Sequence, residues 1–393
     1  MSDVVIIGGG IIGCACAYEL SKGGARVTLL EYGKTGMQAT NAAAGMLSPM
    51  IDPHRAPAMV DFGLRALHEY ADDVAELERE AGFSVEYMPQ GVLRVAFGDR
   101  GAETLRRTFD IQRAMGFPLD WLDAAAVREF EPRLTERAAA GVYSGTEGNI
   151  SNQLVTLALE RAAATRGVAI RERSPVVGFT TSGGRVTSVR TPDASVRCDS
   201  VIIAAGARSG QIAAKLHAFL PVFPVRGQML AFGGMHAPIH HVVGGPRGYL
   251  VPRANGLIFA GATVENVGFR RRTTKSGIAA MLKMSRELVP QLEAAHVKFE
   301  WAGLRPGTPD ELPIIGALPD WPNVIAATGH YRNGILLGPL TGKLVAKAIL
   351  TTDWTEVSPE FSPARFASDQ AMPKAGSASR KTTDLEPSVS PTA

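Results

Sequence analysis

Three features of this 393-residue sequence predict an α/β (α+β) fold made of two domains, both discontinuous along the chain. A strand, glycine loop, helix and strand open it; a second buried-type strand ending in glycine follows at 201–206; and residues 221–232 and 248–262 alternate like sheet strands around a pocket. The first two patterns belong to a Rossmann-like domain, the third to a sheet domain inserted into it in pieces.

Residues 4–7 (Val4, Val5, Ile6, Ile7) are a short apolar run suited to a buried parallel strand, and Gly8 to Gly13 form a tight loop. Residues 12–22 have helical spacing through Ile12, Cys16 and Leu20, and Gly23 and Gly24 stop the helix. Residues 26–30 are the next strand, closing at Glu31. Helices are predicted at 58–81, with Leu64, Leu67, Val74 and Leu77 on one face, at 103–115, and at 151–166 behind Ser151 or Asn152 as cap. Strands are predicted at 91–97, 168–171, 176–181 and 186–191, the last two joined by a turn at Gly183-Gly184. A helix is expected at 273–288, and 313–350 reads as strand, glycine-rich loop and helix. The expected division is 1–85, 146–218 and 300–370 for the nucleotide-type domain, and 86–145 and 219–299 for the sheet domain. The tail 371–393, rich in Pro, Ser and Thr, is expected to be disordered.

A net charge of +3, with basic residues scattered along the chain, argues against a nucleic-acid surface. The densest cluster, Arg270, Arg271 and Arg272, reads as a solvated loop face. The three cysteines, Cys14, Cys16 and Cys198, lack framework spacing and suit a reducing compartment. Cys14 and Cys16 lie two apart on a helix and point to different sides, so they read as small buried residues. No targeting segment is recognised, and the apolar stretch 334–350 is broken by Pro339 and carries Lys343 and Lys347. A cytoplasmic protein with no membrane span is expected.

Gly8-Gly9-Gly10-Ile11-Ile12-Gly13 fits G-x-G-x-x-G between a predicted strand and a predicted helix, the setting that gives the pattern meaning. Gly8 permits the turn, Gly10 lets the backbone approach a pyrophosphate, and Gly13 lets helix and strand pack closely. The helix N-terminus offers N–H groups and a positive dipole end to the phosphates. Glu31 is placed to accept hydrogen bonds from ribose hydroxyls and would repel a 2′-phosphate, which disfavours NADP. To this point NAD and FAD fit alike. The small-residue run from Thr40 to Met46 suits backbone packed on a flat ring or phosphate chain. The loop Gly329-His330-Tyr331-Arg332-Asn333-Gly334-Ile335-Leu336, ahead of an apolar helix, suits the electron-rich edge of a reduced flavin.

These residues resemble the D-amino-acid oxidase superfamily of flavoproteins, most closely its glycine oxidase branch of the thiamine-biosynthesis type. The matching stretches are VVIIGGGIIG, TNAAAGML, SPVVGF, VIIAAGARSG, EWAGLRPGTPDELPIIG and ATGHYRNGILLGPLTG, which together span residues 4 to 342. The resemblance implies an FAD-binding domain plus a substrate domain with a large antiparallel sheet, commonly assembled as a homotetramer. It implies that Gly8, Gly10, Ile11, Ile12, Gly13, Glu31, Tyr32, Ala39, Thr40, Ala44, Gly45 and Met46 meet FAD. Val176 would meet the adenine through its backbone, and His330, Tyr331, Arg332, Asn333, Gly334, Ile335 and Leu336 would wrap the isoalloxazine. Some amine-oxidising relatives hold flavin through a cysteine near the C-terminal loop; this chain has none after Cys198, so non-covalent FAD is expected.

An amino-acid substrate brings a carboxylate, which calls for a charge-assisted, preferably bidentate partner. Arg305 is the first candidate, in a rigid non-helical loop shaped by Gly303, Pro306 and Gly307; the arginine of this motif binds the substrate carboxylate in the resembling family. Arg332, in the flavin loop, and Tyr249 follow by resemblance. No certain general base is identified, and His330 is expected to be a loop histidine hydrogen-bonded to backbone. The reaction implied is hydride transfer from the substrate Cα to flavin N5, with oxygen reduced to hydrogen peroxide. The imine is either hydrolysed to a keto acid and ammonia or supplied to a thiazole synthase. Glycine is the implied substrate, with sarcosine and small D-amino acids in range. Arg247 and Val264 depart from the family's pocket histidine and methionine, which opens the substrate range. The alternatives are a D-amino-acid or N-methyl-glycine dehydrogenase with another acceptor and a non-catalytic flavin-binding protein, which Arg305 and Arg332 argue against. An NAD dehydrogenase leaves the GHYRNG loop unexplained.

Overall fold

The computed structural model describes residues 2–49, 56–234 and 239–369, so the expected tail 371–393 lies outside the described residues. Six strands form one sheet in the order Ile314–Leu318, Trp321–Thr328, Ser200–Ile203, Asp3–Ile7, Arg26–Leu30, Ala169–Arg171. All neighbours are parallel except the first pair. Alternation along Asp3–Ile7 explains the apolar run at its residues 4–7, because both faces are covered there. Val4 and Ile6 join a core with the helices Ile11–Lys22, Pro57–Ala81, Asn152–Thr165 and Gly334–Thr351. Val5 and Ile7 join a second core with Val186 and Val189 of a three-stranded antiparallel sheet.

The second sheet has eight strands: His296–Gly307, Phe223–Gly233, Ile258–Gly261, Gly248–Pro252, Val242–Gly245, Val92–Phe97, Ala138–Ser144 and Asp120–Asp123. It is antiparallel throughout except where Val242–Gly245 lies parallel to Val92–Phe97. Leu230, Phe232, Leu250 and Ala260 face the helix Lys275–Leu288. Met229, Val242, Val251, Tyr249 and Trp301 face the opposite way, with Ala44 and Met46 of the first half. The expected boundary at residue 300 falls inside the strand His296–Gly307, which ends beside the flavin-type loop.

Most elements begin where local chemistry starts them. Ser151 caps Asn152–Thr165 by accepting from Leu154 N at 3.4 Å, and Thr274 caps Lys275–Leu288 by accepting from Gly277 N at 3.1 Å. The helix predicted at 103–115 runs instead over Gly98–Ala114, its first turn carrying Gly98 and Gly101, which favour helix poorly, and Asp99, which complements the helix dipole. The strands Asp120–Asp123 and Ala138–Ser144 and the helix Ala124–Phe130 had no periodic signature, since alanine runs fill 124–126 and 138–140.

Pro339 does not break the last helix, contrary to the reading of the sequence. Gly334–Thr351 runs through it as one element, apolar and long enough to cross a membrane by length and composition, and it packs in the core between Ile11–Lys22 and Pro57–Ala81. Proline cannot donate to the carbonyl four residues back. That carbonyl, Ile335 O, instead accepts from the Tyr70 hydroxyl at 3.1 Å, and Tyr70 is fully buried.

Candidate active site

A cleft of about 1800 Å³ opens where the parallel strands end and extends to the inner face of the eight-stranded sheet. Open α/β sheets bind ligands at the carboxyl ends of their strands. Pockets for drug-sized ligands measure ~300–1,000 Å³, so this one accommodates a dinucleotide and a small substrate together.

The first turn is built around glycine. Gly8 has φ +112°, and a Cβ there would stand 2.4 Å from Ala204 O. A Cβ on Gly13 would stand 1.9 Å from Gly8 O, so the helix Ile11–Lys22 seats directly on the turn. Glu31 accepts from Gly9 N and from Gly33 N, both at 2.8 Å, and so fixes the glycine loop while its carboxylate lines the cleft. Thr40 Oγ1 accepts from Ile11 N at 3.1 Å, tying the 39–46 segment to the helix start.

Three side chains that the sequence reading passed over hold that segment. Asn152 Nδ2 donates to Thr40 O at 2.7 Å, Trp301 Nε1 donates to Ala42 O at 3.1 Å, and Arg253 Nη1 donates to Ala44 O at 3.1 Å and Ile150 O at 2.9 Å. Arg253 is buried, and a buried arginine needs such acceptors. The available signal was an arginine ending the apolar strand run YLVP. Ser48, which lines the cleft, shares a 2.6 Å hydrogen bond with the buried Glu147 and was also missed.

The loop before Gly334–Thr351 turns sharply, with Gly329 at φ +76° and Tyr331 at φ +46°. His330 is buried; its Nε2 lies 3.0 Å from Thr341 Oγ1, a side-chain partner rather than the expected backbone one, and its Nδ1 has no partner among the described residues. Burial lowers its pKa from 6.5 to about 3, so the ring is neutral at ordinary pH. Arg332 is exposed at the cleft and lies over the Tyr331 ring at 5.0 Å.

The structure corrects the setting of Arg305. It sits not in a loop but in the strand His296–Gly307, paired with Val225. Its Nη1 donates to Thr263 O at 3.1 Å, and its guanidinium rests over Gly227, where a Cβ would stand 2.3 Å from Nη1. Tyr249 is half-buried, three strands away on the same inner face. Arg247 and Val264 both line the cleft, and Arg247 pairs with Glu287. Arg271 also reaches the cleft, where it donates to Gln38 Oε1, so the cluster read as a solvated face does more than face solvent.

Of the residues expected at the cofactor and substrate, Gly13 and Leu336 alone do not line the cleft; Gly13 underlies the turn and Leu336 is in the core. The others converge on it from segments hundreds of residues apart. Its glycine turn and helix N-terminus suit a pyrophosphate, Glu31 stands at the adenosine end beside Val176, and the 39–46 and 329–335 segments wall a flat space between them. The residues present therefore fit FAD.

Comparison with known proteins agrees. The family model for FAD dependent oxidoreductase matches residues 3–348. The chain is 37% identical over 371 residues to the bifunctional protein ThiO/ThiG of Synechocystis sp., covering 93% of this chain but only 54% of that one, so it spans about half the length of such relatives. It is 34% identical to the glycine oxidase of Geobacillus kaustophilus, covering 88% of this chain and 92% of the relative. The crystal structure of glycine oxidase from Geobacillus kaustophilus superposes with a TM-score of 0.87 at 32% identity, covering 92% of this chain and 98% of that one. With its match over nearly all described residues and a cleft shaped for the cofactor, this chain belongs to the FAD dependent oxidoreductase (DAO) family of enzymes.

Proposed function

We propose that this flavoenzyme oxidises the amine of glycine, and secondarily of sarcosine or small D-amino acids, to the imine, with oxygen reduced to hydrogen peroxide. The observation that carries the reading is Arg305, held over Gly227 on the inner sheet face within the same cleft as the flavin-type loop. Similarity to glycine oxidases over most of the chain supports it.

FAD, held by the glycine turn, Glu31, the 39–46 segment and the 329–335 loop, supplies the hydride acceptor when bound. Arg305 binds the substrate carboxylate through its remaining donors and so fixes the Cα. Tyr249 bounds the pocket, and Arg332 adds a second cation at the loop. The start of Gly334–Thr351 offers its positive dipole end to the developing negative charge. His330, neutral with a pKa of about 3, is too weak a base to take the ammonium proton near neutrality. The amine therefore reacts as the neutral species delivered from solvent.

In this reading the six-stranded half (1–85, 146–218 and 300–370) binds FAD non-covalently and the eight-stranded half (86–145 and 219–299) binds substrate, with strand His296–Gly307 crossing between them. The protein works as a cytoplasmic homotetramer and supplies the imine to thiazole formation for thiamine, through a thiazole synthase partner. Peroxide release in air from purified yellow protein, with glycine, sarcosine, D-alanine and D-proline in parallel, tests the activity. Glycine should be the best or near-best substrate; flavin bleaching without peroxide would replace oxygen by another acceptor.

A further inference from the structure

Arg305 is oriented by a group of side chains on the far face of its own sheet. Along Phe223–Gly233, Gly227 and Met229 face the cleft, whereas Arg226 and Gln228 point the other way and are buried. Opposite Arg226 lies Glu265: Arg226 N donates to Glu265 O at 2.9 Å, and Glu265 N donates to Arg226 O at 3.0 Å. The Glu265 carboxylate accepts from Arg226 Nε at 2.6 Å and from Gln228 Nε2 at 2.9 and 3.1 Å.

These contacts fasten both ends of the 262–274 loop to one strand. At its start, Thr263 Oγ1 accepts from Gln228 N at 2.9 Å. At its end, Gln228 Oε1 accepts from Thr274 N at 2.7 Å, and Arg226 Nη1 donates to Arg272 O at 3.0 Å. The carbonyl of the same Thr263 accepts from Arg305 Nη1 at 3.1 Å. Committing one N–H of the planar guanidinium to a fixed carbonyl, with Gly227 beneath it, sets the plane in which the remaining donors meet a carboxylate. Between its ends the loop carries Val264, Phe269 and Arg271 to the cleft, where Phe269 lies 4.7 Å from the Arg208 guanidinium.

We propose that Glu265 is a positioning residue for substrate carboxylate binding: by joining Arg226 and Gln228 it fixes the Thr263 carbonyl, and through it the Arg305 fork. The proposal rests on the carboxylate-binding role of Arg305. Removing the Glu265 carboxylate leaves the buried Arg226 guanidinium without its counter-charge and its Nε without an acceptor, with Arg272 O alone still accepting from Nη1, and the 262–265 segment then loses its register on the strand.

A double-mutant cycle on the FAD-loaded protein tests it, with calorimetric affinity for acetate as the probe and the glycine KM and kcat alongside. E265A should weaken acetate binding about tenfold and raise KM by a similar factor with kcat little changed. In an R305A background, which is itself weakened, E265A should change acetate affinity less than twofold. The same tenfold loss in both backgrounds overturns the proposal while leaving Arg305 as the carboxylate ligand. Parent-like acetate binding by R305A removes the Arg305 role and the proposal with it. E265Q keeps an oxygen for Arg226 but turns an amide nitrogen toward Gln228 Nε2. Should E265A fail to fold, E265Q carries the same cycle with an effect of about threefold, and its absence is equally decisive.

Discussion

Replacing Tyr70 with phenylalanine removes one hydroxyl from the core beside the six-stranded sheet. That hydroxyl donates to Ile335 O at 3.1 Å, the carbonyl that Pro339 leaves without a helical donor. With Tyr70 fully buried and Ile335 nearly so, no water replaces it, and an orphaned buried carbonyl costs about 1–3 kcal/mol. At roughly 2.1 cal/mol/K per residue, cooperative unfolding of a chain this long carries about 0.8 kcal/mol per degree, so Tm should fall by about 1–4 °C. Ile335 also lines the cleft, so FAD affinity should drop in parallel, read by fluorescence of released flavin. The discriminating measurement is Y70F in a P339A background, where the substitution restores the backbone N–H that proline lacks. There the cost should shrink below about 1 kcal/mol, the worth of an ordinary hydrogen bond. An equal loss in both backgrounds refutes the account of how the helix passes through proline.

Three further outcomes follow from the site. Burial lowers the His330 pKa from 6.5 to about 3, so the unfolded chain binds a proton across that interval and the folded one does not. Stability conferred by the neutral ring is complete above about pH 6.5 and is lost as pH falls toward 3; urea midpoints at pH 7 and pH 5 should diverge less in H330N than in the parent. Glu31→Ala strands the Gly9 and Gly33 N–H groups, each 2.8 Å from the carboxylate, and FAD dissociation measured by ultrafiltration should worsen at least tenfold. R305A should raise the glycine KM about tenfold to a hundredfold, from a charge-assisted contact worth ~1.5–3 kcal/mol; an unchanged KM in steady-state assays removes Arg305 from the substrate.

The cofactor half was legible because its signals are local and obligatory. Gly8 and Gly13 are required by a positive φ and a 1.9 Å approach, and strand, loop, helix and acid follow one another within 31 residues. What surrounds Arg305 and the 40–46 segment was legible only in part. Arg305 stood out as a motif residue, but Arg253, Trp301 and Asn152 act on the 40–44 backbone from more than a hundred residues away, and no spacing announces such contacts. Pro339 misled for a related reason: proline is a reliable local breaker, and only the tertiary donor Tyr70 cancels it. Alanine runs at 124–126 and 138–140 concealed a helix and a strand because alanine fits either.

The most direct test of the central reading is anaerobic mixing of the FAD-loaded protein with glycine, followed by admission of air. The yellow flavin absorbance should bleach on glycine and return with one equivalent of hydrogen peroxide. Full yellow absorbance retained with glycine, sarcosine and small D-amino acids alike would contradict amine oxidation and leave a flavin-binding fold with a different substrate.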